Sequence, residues 1–190
     1  TATAAGAPCG SAALVSANDG CNAAIHLNTV STVALENLNL TTSGQQGING
    51  IAVTGFALSN SALSGLGNGP DKDGLHFHNM LGTSSITNTT ITSSGDDNVN
   101  IQNLAGTSTI TISGGSFNAG VQGSGLLFGI RGTSNTTINI SGATLDNNFS
   151  GGIVADSFDT ATMKLDVSGI TNRNNNDGIQ VSGHNGSAQF

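Results

Sequence analysis

The 190-residue chain has no tryptophan and no tyrosine. Stacking against nucleobases or sugar rings could fall only to its seven phenylalanines. Charge is scarce as well, at 8% of residues, and the four basic ones (Lys72, Arg131, Lys164, Arg173) stand singly against eleven acidic ones. Binding a polyanion needs clustered Lys and Arg to displace counterions, so this scatter speaks against nucleic acid and anionic membranes as partners. No apolar run approaches the roughly 20 residues of a membrane-spanning helix, which speaks against membrane insertion. No segment carries an amphipathic helical stripe without a glycine interrupting it. No signal peptide is visible, and a start at Thr1 rather than Met reads as a processed or excised segment. Cysteine is limited to Cys9 and Cys21. A disulfide between them would lock an N-terminal cap region, residues 1–24, and would fit a secreted or cell-surface protein. Two buried free thiols are the alternative.

What the chain does have is β-branched residues, Gly, Ser, Thr and Asn, a composition that folds without relying on charge. The tripeptide Ile25-His26-Leu27 recurs as Ile51-Ala52-Val53, Leu75-His76-Phe77, Val99-Asn100-Ile101, Leu126-Leu127-Phe128, Ile153-Val154-Ala155 and Ile179-Gln180-Val181. Steps between first residues are 26, 24, 24, 27, 27 and 26. An apolar-x-apolar triplet is a short strand with two side chains on one face. Its return at a nearly fixed interval implies one unit stacked on itself, a solenoid of about seven turns with roughly 26 residues each. A second column runs Val33-x-Leu35, Phe56-x-Leu58, Ile86, Ile110-x-Ile112, Ile138-x-Ile140 and Leu165-x-Val167. A third follows at Leu40, Leu63, Ile91, Phe117, Leu145 and Ile170. Each turn thus carries three short strands, and the solenoid is expected over residues 25–182 with a tail or linker at 183–190. Asn147-Asn148 and Asn174-Asn175-Asn176 are placed for hydrogen-bonded ladders between turns. The longest insertion, Leu66 to Asp73, is the best candidate for a protruding loop.

These three columns, the turn length and the Asn-rich bends before Gly-Ile resemble the right-handed parallel β-helix repeat family, the pectate-lyase-like superfamily, over about residues 22–183. The phrases Gly50–Ser61 and Asn135–Gly142 look like secreted bacterial surface proteins with β-strand repeats. The resemblance implies an all-β, right-handed parallel β-helix. It does not by itself imply a function, because the fold carries lyases, hydrolases, adhesins and spacers alike.

The densest chemistry is Asp71, Asp73, His76 and His78, followed one turn later by Asp96 and Asp97. Aligning Leu75-His76-Phe77 with Val99-Asn100-Ile101 puts Asp73 in the column of Asp97, about 4.8 Å apart along the stack. Carboxylates that close raise one another's pKa or recruit a cation, so Asp71, Asp73, Asp96 and Asp97 form the candidate calcium site. Asp73-Gly74-Leu75 followed by Gly95-Asp96-Asp97 is similar to the catalytic pattern of β-helical galacturonases, which implies Asp73, Asp96 and Asp97 as catalytic acids. The family pattern continues with Gly-His-Gly and Arg-x-Lys; here the next turn reads Gly120-Val121-Gln122-Gly123 and no Arg-x-Lys occurs. The simplest reading of these acids is turn residues capping backbone amides. Lyase chemistry would need a basic residue beside a calcium-bound uronate, and the four cations belong to different turns.

Strand alternation puts His26 and His76 outward, with Leu75 and Phe77 inward. His76 and His78 share a face and could chelate a metal with Asp71 or Asp73, although solvated surface histidines are the expected outcome. Ranks such as Thr107, Thr109 and Thr111 suggest ice or crystalline polysaccharide but do not hold register between turns. With no complete catalytic set, the expected function is an extracellular structural or adhesive module of a bacterial surface or matrix protein, with no cofactor or calcium alone. Its expected partners are itself, neighbouring domains or polysaccharide. The alternative is a carbohydrate-active enzyme, a hydrolase or lyase, acting on an acidic polysaccharide.

Overall fold

The computed structural model describes residues 23–43, 45–67 and 69–190. Cys9, Cys21 and their expected disulfide lie outside the described residues. The chain is an all-β parallel solenoid of about 6 turns with ~27 residues per turn. Seven strands begin successive coils: Ala23–Asn28, Gln46–Ser59, Leu75–Thr87, Val99–Asn103, Leu126–Ile130, Gly151–Phe158 and Asp177–His184, each parallel to the next. Seven such strands bound six intervals, which is why the expected seven turns close as about six.

The second column is Ser31–Glu36, Thr107–Ser113, Asn135–Ser141, Thr162–Ser168 and Ser187–Gln189, together with the far halves of Gln46–Ser59 and Leu75–Thr87. Because those two long strands run through both columns, the first and second merge into one 12-stranded sheet. The third column, from Asn39–Ser43 to Thr171–Arg173, forms a separate 6-stranded sheet. Among the described residues there is no α-helix, and none long and apolar enough to cross a membrane. Residues 183–190 carry the end of Asp177–His184 and the strand Ser187–Gln189, which pairs with Thr162–Lys164.

Side chains stack inside the coil by column. Ile48, Leu75, Val99, Leu126 and Ile153 form one fully buried row, and Leu63, Ile91, Phe117 and Leu145 another. Each such side chain contributes about 1.5–3 kcal/mol on burial. The second column pairs in the expected register: Val33 with Phe56, Leu58 with Ile86, Ile110 with Ile138, and Ile138 with Leu165.

Two expected registers are corrected. The second coil contributes Ile48-Asn49-Gly50 to the first column, not Ile51-Ala52-Val53, since Ile48 pairs with both Ile25 and Leu75. Gly50 hides the repeat because the Phe77 ring of the next coil fills the space its side chain would take. In the third column Leu145 pairs with Asn172 rather than Ile170.

The bends between columns are themselves stacked. Asn37, Asn60, Asn88, Gly114, Gly142 and Gly169 all have positive φ. Each except the last donates its N–H to the residue before its counterpart on the next coil, as Asn60 does to Thr87 and Gly114 to Ser141. A left-handed corner suits Asn and Gly and penalises branched residues, so one backbone requirement explains why three asparagines and then three glycines fill this corner down the stack. Part of the expected asparagine ladder is present: Asn98 Nδ2 donates to Asn148 Oδ1 at 3.0 Å, and Asn148 Nδ2 to Asn175 Oδ1 at 3.0 Å.

Candidate carboxylate and histidine site

The candidate site lies at the entry to the first column, on coils two to four. Parallel pairing puts Gln46, Asp73 and Asp97 in one column on successive coils, just before the strands' buried apolar residues. Asp73 Oδ1 accepts the Asp97 N–H at 2.9 Å, and Asp97 Oδ1 accepts the Ser124 N–H at 2.6 Å. Each carboxylate thus caps the amide one coil on, the simplest of the roles expected for these acids.

A second set of bonds runs across the stack. Three residues after each entry position stands a partner for it: Asn49 Nδ2 donates to Gln46 Oε1 at 2.6 Å, His76 Nδ1 lies 2.5 Å from Asp73 Oδ2, and Asn100 Nδ2 donates to Asp97 Oδ2 at 3.2 Å. Two residues further on, His76 Nε2 meets His78 Nε2 at 2.9 Å, and Gln102 Nε2 donates to Asn100 Oδ1 at 3.3 Å. Strand pairing aligns Asn49, His76 and Asn100 in one row, and His78 with Gln102 in another. The roles of Gln46, Asn49, Asn100 and Gln102 escaped sequence reasoning, although the polar pair at i, i+3 repeats in three successive coils.

The histidines depart from expectation. They do sit on the face opposite Leu75 and Phe77, but they are buried rather than solvated, at 3% exposure for His76 and 6% for His78. Asp73, at 0%, is buried too.

Asp96 comes close to Asp73 and Asp97: one carboxylate oxygen from each lies within 4.8 Å of the others. Asp71 enters through its backbone, whose N–H donates to Asp96 Oδ2 at 3.0 Å; its carboxylate is not part of that trio. Burial, followed by the negative charge of Asp73, holds the Asp97 carboxyl well above the usual carboxylate range, against the Ser124 N–H that pulls it down. Burial also raises Asp96, opposed by its bond from the Asp71 amide. Calcium takes six to eight oxygens, of which Asp73, Asp96 and Asp97 would supply a part. Gly123 makes room for this trio, because a Cβ there would collide with both Asp96 and Asp97.

The insertion Leu66 to Asp73 does not stand away from the coil as expected. Leu66 is fully buried, its carbonyl accepts the Gly95 N–H at 2.8 Å, and the Lys72 carbonyl accepts the Asp96 N–H at 3.0 Å. Gly69 lies so close to Gly95 that a Cβ on Gly95 would come within 2.8 Å of its carbonyl oxygen. This contact holds Asp71 and Asp73 beside Asp96 and Asp97.

Three of the four cations lie elsewhere, and Lys72 alone stands in the insertion between Asp71 and Asp73. Arg131 lies 4.1 Å over the Phe158 ring, Lys164 pairs with Asp166 at 2.6 Å, and Arg173 pairs with Asp146 at 2.9 Å. The site thus gathers three acids, while Arg131, Lys164 and Arg173 are engaged on other coils. No protein-family model, curated protein or solved structure matches the chain.

Proposed function

We propose that the chain is a non-enzymatic, extracellular structural or adhesive β-solenoid module of a bacterial surface or matrix protein, akin to the right-handed pectate-lyase-like family, that associates through the end of its stack. The observation that carries this reading is the last coil. Ile153 is fully buried, whereas Ile179, its partner on the final strand, is 39% exposed. Thr171–Arg173, Asp177–His184 and Ser187–Gln189 are all outermost in their sheets. Among the described residues these three edges have no strand partner, and the apolar layer beside them is a surface for a further coil, of this protein or of another copy, to extend. The acids support the same reading, since Asp73 and Asp97 are buried and engaged in capping the next coil.

Light scattering over a concentration series tests it. The wild-type chain should form dimers or longer assemblies that Ile179→Lys disperses; a monomer at every concentration overturns the reading.

A second reading, a carbohydrate-active enzyme on an acidic polysaccharide, is favoured only by the convergence of Asp73, Asp96 and Asp97 within 4.8 Å. Incubation with polygalacturonate should release no reducing ends. Release that disappears in Asp97→Asn would replace the structural reading with the enzymatic one.

A further inference from the structure

His76 and His78 meet in a way that amide capping does not require. Asp73 Oδ2 lies 2.5 Å from His76 Nδ1, which commits that nitrogen and turns Nε2 toward His78. The two Nε2 atoms are 2.9 Å apart, yet the ring centroids are separated by only 4.7 Å, with the planes at 62°. Imidazoles meeting head-on would hold their centroids apart by the N···N distance plus both ring radii, which exceeds that separation. The rings therefore lean together, and the 2.9 Å contact, a hydrogen bond in the metal-free chain, is one that an ion could replace by bridging the two nitrogens.

A metal ion about 2.0–2.1 Å from each nitrogen spans such an N···N distance when the N–metal–N angle is near a right angle. That is the cis arrangement of tetragonal sites. A carboxylate on the far nitrogen of a ligating histidine is also the usual support for such a ligand, fixing its tautomer and orientation. The neighbouring coil carries a further polar atom. Asn49, the neighbour of His76 on the preceding coil, is 1% exposed, and its Oδ1 is buried with no hydrogen-bond partner among the described residues.

We infer that His76 and His78 bind one divalent transition-metal ion of the nitrogen-preferring class, such as copper or nickel, with Asp73 as the positioning residue that orients His76. This site differs from the carboxylate trio in both donors and ion, because imidazole selects transition metals where carboxylates select calcium.

Cu²⁺ added to the full chain is the test, read by calorimetry and by pulsed electron paramagnetic resonance. One ion per chain should bind, with modulation from the remote nitrogens of two imidazoles. His76→Gln and His78→Gln should each abolish that two-imidazole signature, and His184→Gln should leave it intact. Asp73→Asn should weaken binding by about 10–100-fold while keeping both imidazoles in the spectrum. Far-UV circular dichroism checks that each variant folds. Should the histidine variants unfold, the wild-type spectrum decides: none or one imidazole nitrogen overturns the inference, as does a two-imidazole signature that survives His78→Gln.

Discussion

Asp97 shows what it costs to use a carboxylate where a backbone cap is needed. Its carboxyl is buried beside Asp73 and Asp96, and burial raises its pKa well above the ordinary value. Asp96 is raised in the same direction. A carboxyl whose pKa is higher folded than unfolded binds its proton more tightly in the native state. Between the unfolded value of about 4 and the raised one, the folded chain holds more protons. Stability contributed by these groups is therefore largest at the acid end of that window and falls as pH rises through it. The melting temperature is expected to climb as pH is lowered through that window toward the unfolded value. Asp97→Asn, which keeps an oxygen for the Ser124 amide but cannot ionise, should remove much of that climb. Equal slopes for the two proteins in thermal melts would show that Asp97 is not its source.

At the scale of the element, the corner between the second and third columns makes the coil repeat. Gly142 has φ 64° and is exposed, so a side chain there meets backbone strain rather than a packing clash. Gly142→Val should destabilise the chain by about 1–2 kcal/mol, whereas Asn60→Gly, at the same corner three coils earlier, should change little. Chemical denaturation of the pair measures both. These corners also show what could be read from the residues beforehand. The second column was legible throughout because at least one large apolar residue recurs there in every coil, from Val33 to Val167. Asp73 and Asp97 could be aligned because both precede a strand whose apolar residues face the core. The first column failed at Gly50, where the Phe77 ring supplies the missing volume from a neighbouring coil, a substitution that no local pattern reveals. The third failed at Asn172, a polar residue where apolar ones were sought. Alternation gave the correct face for His76 and His78, but face is a local property and burial is not.

For the whole molecule, the self-association proposed through the layer at Ile179 should strengthen with salt. The chain carries a net charge of −7, and screening that repulsion leaves the apolar layer and strand edges unopposed. Sedimentation at low and high ionic strength would measure the change, and association that weakens with salt would place the contact on charged surface instead. The stacking of parallel strands has a mechanical consequence as well. Nearly every bond that joins one coil to the next points along the axis of the stack, including the caps from Asp73 to Asp97 and from Asp97 to Ser124. A load applied along that axis meets these rungs one layer at a time, so the rod should peel rather than rupture as a unit. Each released coil of ~27 residues frees roughly 90 Å of chain at about 3.3–3.6 Å per residue. Pulled from Phe190 in an optical trap, the protein should lengthen in a staircase of such steps, with the largest resistance where Asp73, Asp96 and Asp97 tie the third coil to the fourth.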